Sequence, residues 1–391
     1  MNSHNEIDFF FFAGEQSGDL HGGKLLMTLK KYNPNLRCVG VGGNFMRAQG
    51  LECLMDVDLF QVMGFFDVIV SLPRLWRHFK KIRNYILQKR PKIVVFIDFP
   101  DFNLRMASSL RKHGFKGKLI QYICPSVWAW RKNRIKDMTA SLDLVLSIFP
   151  FESQHFSGTP LEVQYIGNPS IESLYEYRYI EEWKKELGIK NSHDNLIGIF
   201  PGSRKSEIKQ NLLKQLKTAE LLLQDKPDLK FGLSVANDSL LPLISDKIKK
   251  TKLEKEKNLF LIPKDYIYEL MRDCRVAIAT SGTITLELGL HQTPTIVVYH
   301  VSISNWMIAK YLFRLNLPYY CIVNIALNQK IFPELIHRKF TVENLYRHTK
   351  ELYQDTFLRK NCIKKCHELY KLLHLKDVNK RAVKAIEKFL P

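Results

Sequence analysis

The stretch FFFFAGEQSGDLHGG at residues 9–23 shows how this 391-residue chain is built. An apolar run, Ile7–Ala13, leads into a loop rich in glycine and acidic residues, and a helix-like stretch follows the loop. Continuous apolar runs of this length indicate strands that are buried on both faces, as in parallel sheets. The stretch therefore predicts a strand–loop–helix unit with its loop at the carboxyl end of the strand.

The same pattern recurs along the chain, and strands that alternate with helices predict parallel βαβ units. It occurs in two halves that break at Gly167-Asn168-Pro169, where a strand ends in turn residues. We predict an α/β protein of two doubly wound, Rossmann-like domains facing a cleft, residues 1–168 and 169–369. A C-terminal helix at about 370–391 could pack back on the first domain. The other predicted strands are Leu36–Val41, Ile93–Ile97, Lys118–Ile123, Leu142–Ile148, Leu161–Ile166, Leu196–Phe200, Lys230–Val235, Leu259–Ile262, Val276–Ala279 and Thr295–Tyr299.

Composition narrows the function classes. The chain is 46% hydrophobic and 25% charged, which excludes disordered and coiled-coil classes. Lys and Arg number 59 against 39 Asp and Glu, and a net charge of +20 favours a polyanionic partner. Seven cysteines without a CxxC pair indicate reduced thiols in a cytoplasmic protein. Because no stretch approaches 18 apolar residues, any membrane contact is expected to be peripheral.

Loops that follow strands are where ligands bind in such sheets. The first loop is a predicted ligand-binding element, because glycines allow close backbone approach and a helix N-terminus favours anions. The alternative is a tight turn in which Ser17 or Asp19 caps the helix. The predicted binding residues are Gly14, Glu15, Ser17, Gly18 and Asp19.

Asp98 follows the apolar run Ile93–Ile97 and is surrounded by phenylalanine and proline. Apolar surroundings disfavour an ionised carboxylate and raise its pKa, which suits a general base. The alternative is a turn or helix-capping aspartate, a role that Asp101 fits better. We predict that Asp98 is the catalytic base.

Two loops of the second half suit a nucleotide. In the segment 200–207, Gly202 and Ser203 offer backbone and hydroxyl donors, and Arg204 offers a planar fork for phosphate. The alternative is a plain strand-to-helix turn with Ser203 as the helix cap. We predict a pyrophosphate-binding loop here.

In the segment 280–287, a strand ends in hydroxyl residues and glycine and opens a helix. Backbone amides at Ser281, Gly282 and Thr283 can hold phosphate, and Glu287, about one turn into the helix, suits a ribose diol. The alternative is a helix cap with an acid that complements the helix dipole.

Three further features of the sequence concern possible lipid, sugar and metal sites. The segment 72–86 has helical apolar spacing within a stretch of eight Lys/Arg and no acid; it predicts either a helix lying on anionic lipid or an ordinary packed helix. Trp128 and Trp130 could line a sugar or acyl groove, or equally belong to a core. Cys362 and Cys366, with His367 adjacent, lack an obvious fourth ligand, and we predict no metal site.

Seven motifs in one order, FFAGEQSGDLHGG, VGVGGNFM, VMGFFDVI, FIDFPDFN, PSVWAWR, FPGSRKSEI and TSGTITLELGL, resemble the lipid-A-disaccharide synthase family over roughly residues 7–340. The resemblance implies a GT-B glycosyltransferase that transfers sugar from UDP-2,3-diacylglucosamine to 2,3-diacylglucosamine 1-phosphate, giving a β-1,6-linked disaccharide phosphate and UDP. It implies a peripheral enzyme at the cytoplasmic face of the inner membrane that needs no metal or other cofactor.

The resemblance also implies roles for individual residues. Asp98 resembles the base, and Arg204 with its loop resembles the nucleotide-phosphate site. With the donor assigned to the second domain, we predict that the loop at residues 14–19 binds the acceptor. The set Ser281, Gly282, Thr283 and Glu287 resembles the UDP-binding helix motif, and Asn324 resembles a further donor-site residue. One departure is Asn168, which stands where the family is expected to have histidine and which cannot ionise.

Two other functions are alternatives to this glycosyl transfer. One is a different GT-B activity with a water-soluble acceptor, or a UDP-sugar epimerase. The other is a nucleic-acid binder, which the high pI of about 9.5 suggests. No helix-turn-helix, RNP or zinc-finger signature supports a nucleic-acid partner, so none is predicted. The oligomeric state is not predicted.

Overall fold

The computed structural model describes residues 6–60, 65–127, 134–190, 195–300, 318–354 and 356–390. The chain divides into two compact units. The first comprises Met1–Ser173 and Leu373–Pro391, and the second comprises Leu174–Leu372. Within the described part of the chain, none of the helices has the length and hydropathy needed to cross a membrane.

The described elements alternate between strands and helices in both units. The strands are β1 Phe9–Ala13, β2 Cys38–Gly42, β3 Glu52–Asp56, β4 Ile93–Ile97, β5 Lys118–Tyr122, β6 Leu144–Ser147, β7 Glu162–Tyr165, β8 Leu196–Phe200, β9 Lys230–Ser234, β10 Leu259–Ile262, β11 Val276–Thr280, β12 Thr295–Tyr299 and β13 Glu334–Ile336. The helices are α1 Gln16–Tyr32, α2 Asn44–Ala48, α3 Phe65–Lys89, α4 Pro100–Lys112, α5 Arg134–Ser141, α6 Pro169–Glu176, α7 Trp183–Glu186, α8 Lys205–Asp225, α9 Leu241–Ile248, α10 Ile267–Asp273, α11 Thr283–Leu290, α12 Ile322–Leu327, α13 Val342–Tyr353, α14 Phe357–Leu373 and α15 Val378–Glu387.

The first unit is a parallel sheet in the order β3-β2-β1-β4-β5-β6-β7. The apolar run of β1 is continuous because its side chains enter a core on each face of the sheet. Phe10 and Phe12 enter the core under α3 and α4, whereas Phe9 and Phe11 enter the core under α1 and α15. All four rings are fully buried because helices cover both faces of the sheet.

The second unit is a parallel sheet in the order β10-β9-β8-β11-β12-β13. Both sheets therefore share one topology. The chain moves outward from the first strand of the unit, then returns to that strand's other side, at β4 in the first unit and at β11 in the second. The β1/β4 and β8/β11 positions are topological switch points, where open α/β sheets bind ligands.

The prediction of two parallel-sheet α/β units is confirmed, but two strands were missed. β3 carries polar and exposed residues, and β13 has only three residues; both lie at the edge of their sheet. Their side chains are partly exposed, so neither strand has a continuous apolar run. Several observed strands are also shorter than predicted by one or two residues, such as β1, which begins at Phe9 rather than Ile7.

Candidate functional site

The switch point of the first sheet brings the Gly14 loop to Asp98. Ala13 is in register with Ile97, so Gly14 and Asp98 are the next residues on neighbouring strands. The approach is close, since a Cβ on Gly14 would lie 2.6 Å from the Phe99 ring. Glycine is required here because any side chain would collide with that ring. We call this group of residues (Gly14, Asp98, Phe99) the Asp98 edge.

The turn at the Asp98 edge has an unusual backbone. Asp98 and Phe99 have φ values of 48° and 45°, a left-handed conformation that costs a non-glycine residue roughly 1–2 kcal/mol. Two buried amide side chains hold the turn. Gln121 Nε2 donates to the Asp98 carbonyl oxygen at 2.9 Å, and Asn103 Nδ2 donates to the same oxygen. Neither amide was singled out from the sequence, because strand β5 and helix α4 both look like ordinary core there.

The Asp98 carboxyl group has the chemistry expected of a base. Burial raises its pKa above the ordinary value, and the neighbouring Phe99 N–H opposes that shift. A carboxylate that is poorly solvated accepts a proton more readily than one in water. The structure therefore places a basic carboxylate at a sheet switch point.

The glycine-rich loop divides into exposed and buried parts. Glu15 and Ser17 are exposed, whereas Gly18 and Asp19 are buried. Glu15, not Ser17 or Asp19, precedes the first turn of α1, so the capping alternative for this loop is wrong. The Asp19 carboxylate instead accepts three backbone N–H groups at the start of α2, from Gly43 (2.6 Å), Phe45 (3.0 Å) and Met46 (3.2 Å). Asp19 thus holds the loop after β2, and acceptor binding by this loop stays a prediction for its exposed residues.

In the second unit, the loop after β8 turns into α8 at Gly202, whose φ of 110° favours glycine. Arg204, not Ser203, is the residue that precedes α8, so the predicted cap residue is wrong. Glu207 Oε2 accepts the backbone N–H groups of Ser203 and Arg204, at 2.9 and 3.2 Å. Glu207 Oε1 lies 3.1 Å from the Arg204 guanidinium, which is 77% exposed. The turn is thus fixed while the guanidinium faces solvent.

A buried network joins this loop to the one after β11. The Thr280 hydroxyl donates to the Pro201 carbonyl at 2.9 Å, and Asn211 Nδ2 donates to that hydroxyl at 3.1 Å. Asn211 Oδ1 also accepts the His300 backbone N–H, at 3.3 Å. Asn211 therefore ties together the ends of β8, β11 and β12. Sequence reasoning missed it because an asparagine inside a long helix carries no local signal.

The second loop is open to solvent. Gly282 and Thr283 are exposed and Ser281 is half-buried, just before α11. A Cβ on Gly282 would meet none of the described residues within 4 Å, and its φ of 163° is extended backbone that any residue adopts. Nothing in the described part of the unit explains a glycine here. We call residues 201–204 and 280–283 the phosphate loops.

Glu287 lies one turn into α11 within an aromatic cluster. The Tyr268 hydroxyl donates to Glu287 Oε1 at 3.3 Å, and burial raises the pKa of Glu287 to about 7. His291 Nδ1 lies 2.7 Å from the Glu287 carbonyl oxygen, and its Nε2 lies 2.9 Å from the Tyr179 hydroxyl. The carboxyl group is therefore oriented by Tyr268, and its pKa lies near neutral.

Two asparagines have structural partners. Asn324 is fully buried; its Oδ1 accepts the Ile331 and Phe332 N–H groups, and its Nδ2 donates to the Phe332 carbonyl and Glu334. A direct donor contact by Asn324 stays a prediction, and it would require some of these bonds to break. Asn168 is buried too, with Oδ1 accepting the Ser170 N–H at the start of α6 and Nδ2 donating to the Ile148 carbonyl.

The segment 72–86 lies in α3 and is divided between core and surface. Phe79, Ile82 and Ile86 are buried in the core of the first unit. Leu72 and Trp76 are each 54% exposed.

Trp128 and Trp130 lie outside the described residues. Across the described residues, no group of three or more His, Cys, Asp or Glu side chains is arranged to hold a metal ion.

Comparison with known proteins supports the family indicated by the motifs. The family model described as lipid-A-disaccharide synthetase matches residues 9–389. Lipid-A-disaccharide synthase of Chlamydia pneumoniae is 42% identical over 330 residues, 84% of this chain and 54% of that protein. The chain thus spans about half the length of this relative. The Geobacter sulfurreducens synthase is 32% identical over 336 residues, 86% of this chain and 85% of that protein.

Among solved structures, UDP-GlcNAc 2-epimerase from Neisseria meningitidis, bound to UDP-GlcNAc, resembles the chain with a TM-score of 0.62. The match covers 98% of this chain and all of that one, at 12% sequence identity. This similarity is one of fold.

Proposed function

Because the chain belongs to the lipid-A-disaccharide synthetase family, we propose that it transfers a diacylglucosamine unit from UDP-2,3-diacylglucosamine to 2,3-diacylglucosamine 1-phosphate. The products are the β-1,6-linked disaccharide 1-phosphate and UDP. The first unit supplies the acceptor site and the base, and the second unit holds the donor. The observation that carries the proposal is the Asp98 edge, a basic carboxylate at a sheet switch point.

Asp98 removes the proton from the acceptor 6-hydroxyl as its oxygen attacks the anomeric carbon of the donor. Direct displacement inverts that carbon in one step and needs one base and no covalent intermediate. The raised pKa of Asp98 strengthens it as a proton acceptor, and the held turn keeps it in place. In this proposal, Glu15 and Ser17, the exposed residues of the neighbouring loop, contact the acceptor sugar.

The phosphate loops hold the UDP pyrophosphate. Backbone N–H groups at the start of α11 and the exposed Arg204 guanidinium offset the charge that develops on the departing UDP. Gly202 and Ser203 shape the first loop, and Gly282 leaves room for a phosphate to approach the second. Glu287 accepts hydrogen bonds from the ribose hydroxyls, and Tyr268 fixes its orientation.

We further propose that α3 docks the protein on the anionic cytoplasmic face of the inner membrane. Leu72 and Trp76 face solvent on this helix, beside Arg74, Arg77 and Lys80. A tryptophan ring suits the headgroup level, and each basic residue near anionic lipid contributes ~1 kcal/mol. Phe79, which the sequence pattern grouped with Trp76, belongs to the core and not to this docking surface.

The transfer is tested by incubating the purified protein with the UDP-diacylglucosamine donor and the diacylglucosamine phosphate acceptor. We expect a disaccharide phosphate, detected by mass spectrometry, together with one UDP per disaccharide. Incubation with donor alone is the control. A change in the sugar's configuration without acceptor would instead support the epimerase alternative, and turnover of non-acylated acceptors alone would support a water-soluble acceptor.

A further inference from the structure

An open groove of about 670 Å³ crosses the outer surface of α4 in the first unit. Helix α3 forms one bank and α5 forms the other. The Asp98 carboxyl group does not line it. The groove is therefore separate from the Asp98 edge, although α4 begins two residues after Asp98.

The floor of the groove carries phosphate-binding chemistry. Arg105 and Lys112 are exposed on one face of α4, seven residues apart, which is about 10 Å along a helix. Neither forms an ion pair with a described carboxylate. Ser108 and Ser109 lie between them and are half-buried. A guanidinium, an ammonium and two hydroxyls on one face supply hydrogen-bond donors suited to an anion.

The α3 bank is apolar. The exposed Trp76 ring stacks on the buried Phe79 ring with 5.2 Å between centroids. The Lys80 ammonium lies 5.5 Å from the Trp76 ring centroid. An aromatic wall beside a cationic floor matches a molecule that has an anionic head and an apolar body.

The α5 bank carries the opposing charges. Arg134 is buried and pairs with Asp101 at 2.6 Å, so that carboxylate is neutralised. Asp137 is exposed on the same bank and is the carboxylate that an anion in the groove would face. Against it stand the two floor cations and Lys80, so the groove keeps a positive balance.

We propose that this groove binds the phosphate headgroup of an anionic glycerophospholipid, with the lipid's apolar part against Trp76. The proposal rests on the proposed docking of α3 and is independent of glycosyl transfer. A lipid is favoured over free phosphate because one wall is aromatic and because that wall is continuous with exposed Leu72. The groove would make docking depend on defined phosphate contacts as well as on diffuse charge.

The test measures binding of dihexanoyl-phosphatidylglycerol, below its micelle concentration, by isothermal calorimetry. We expect saturable binding that weakens about 30-fold or more in Arg105→Glu/Lys112→Glu, at ~1 kcal/mol per basic residue removed. Lys380→Glu/Lys384→Glu is the matched control. It reverses two exposed cations on α15, which covers the opposite face of the sheet, and should change binding less than about threefold. Thermal melts of both variants check that the fold is kept.

Wild-type affinity in the groove variant, or equal losses in both variants, would overturn the proposal. Equally tight binding of inorganic phosphate would identify a free-phosphate site, and displacement of the lipid by the diacylglucosamine phosphate acceptor would identify an acceptor site; either result overturns it. Leu72→Ser distinguishes the docking surface of α3 from the groove. Weaker binding to phosphatidylglycerol vesicles with unchanged binding of the short-chain lipid supports both proposals. Unchanged vesicle binding by Leu72→Ser would overturn docking by α3, while the short-chain lipid still tests the groove.

Discussion

The Asp98 edge and the phosphate loops occupy equivalent places in their sheets but are built differently. In the first unit, two non-glycine residues adopt left-handed backbone, and two buried amides hold them there. In the second unit, a glycine makes the turn, and a buried hydroxyl and Asn211 join the loops. The difference matches the roles proposed for the two regions, since a base must be held at one point, whereas a phosphate site needs open backbone donors.

The largest expected effect comes from Asp98→Asn. It keeps the size and the backbone conformation of Asp98, since asparagine tolerates left-handed backbone well. It removes the base, so kcat should fall by ~10²–10⁴-fold. UDP affinity, measured by calorimetry, should stay unchanged, because that site belongs to the second unit. Near-normal turnover would remove Asp98 from the mechanism.

The next largest effect is expected from Arg204→Ala. Its guanidinium is 77% exposed, and Glu207, which loses this ion pair on truncation, keeps the backbone N–H groups of residues 203 and 204 as hydrogen-bond donors. Loss of a charge-assisted bond to phosphate, worth ~1.5–3 kcal/mol, predicts a roughly 10–100-fold fall in kcat/KM. Lys205→Ala, which removes the adjacent exposed cation, is the matched control and should stay close to wild type. Equal effects of the two variants would mean that net charge, and not the guanidinium, matters.

A smaller effect should reveal how the Asp98 turn is held. Gln121→Leu removes a buried hydrogen bond to the Asp98 carbonyl, so the base loses its fixed position. We expect kcat to fall about tenfold with UDP affinity unchanged, and the free energy of unfolding to fall by ~1–3 kcal/mol. The measurements are steady-state kinetics and urea denaturation.

Gln215→Leu is the control for that change. Gln215 is fully buried in the second unit, and neither of its amide atoms has a hydrogen-bond partner among the described residues. Its replacement by leucine should leave kcat unchanged and stability unchanged or improved. If Gln121→Leu affects stability but not kcat, its amide supports the fold alone.

The sequence predicted the sheets and the site loops better than the residues that hold them. Buried parallel strands leave continuous apolar runs, so β4, β8 and β12 were predicted with their observed bounds. Edge strands β3 and β13 left no such run. Asp98 and Arg204 could be proposed as site residues because they follow strand ends, and Glu287 because it lies in the helix that follows β11. Asn211 and Gln121 could not, since their partners come from distant segments, and Asp19 turned out to hold a neighbouring loop.

Glu287, in the second unit, should make the stability of the protein depend on pH. Burial raises the pKa of Glu287 to about 7, above its unfolded value near 4.5. Between these two values the folded protein holds more protons than the unfolded chain, so this group lowers stability as pH rises from about 4.5 to 7. Above pH 7 its contribution is constant. In Glu287→Gln this part of the pH dependence should be absent from urea denaturation curves.

Donor binding should show the opposite trend. The ionised carboxylate accepts ribose hydroxyls better than the protonated one, so UDP affinity should rise roughly tenfold between pH 6 and pH 8. UDP phosphate also titrates in this range, and Glu287→Gln isolates its contribution because the variant keeps the phosphate loops. Calorimetric titrations of both proteins at pH 6, 7 and 8 give the difference in slope. Parallel slopes would show that Glu287 does not change its charge on binding and that its carboxylate is not the ribose acceptor.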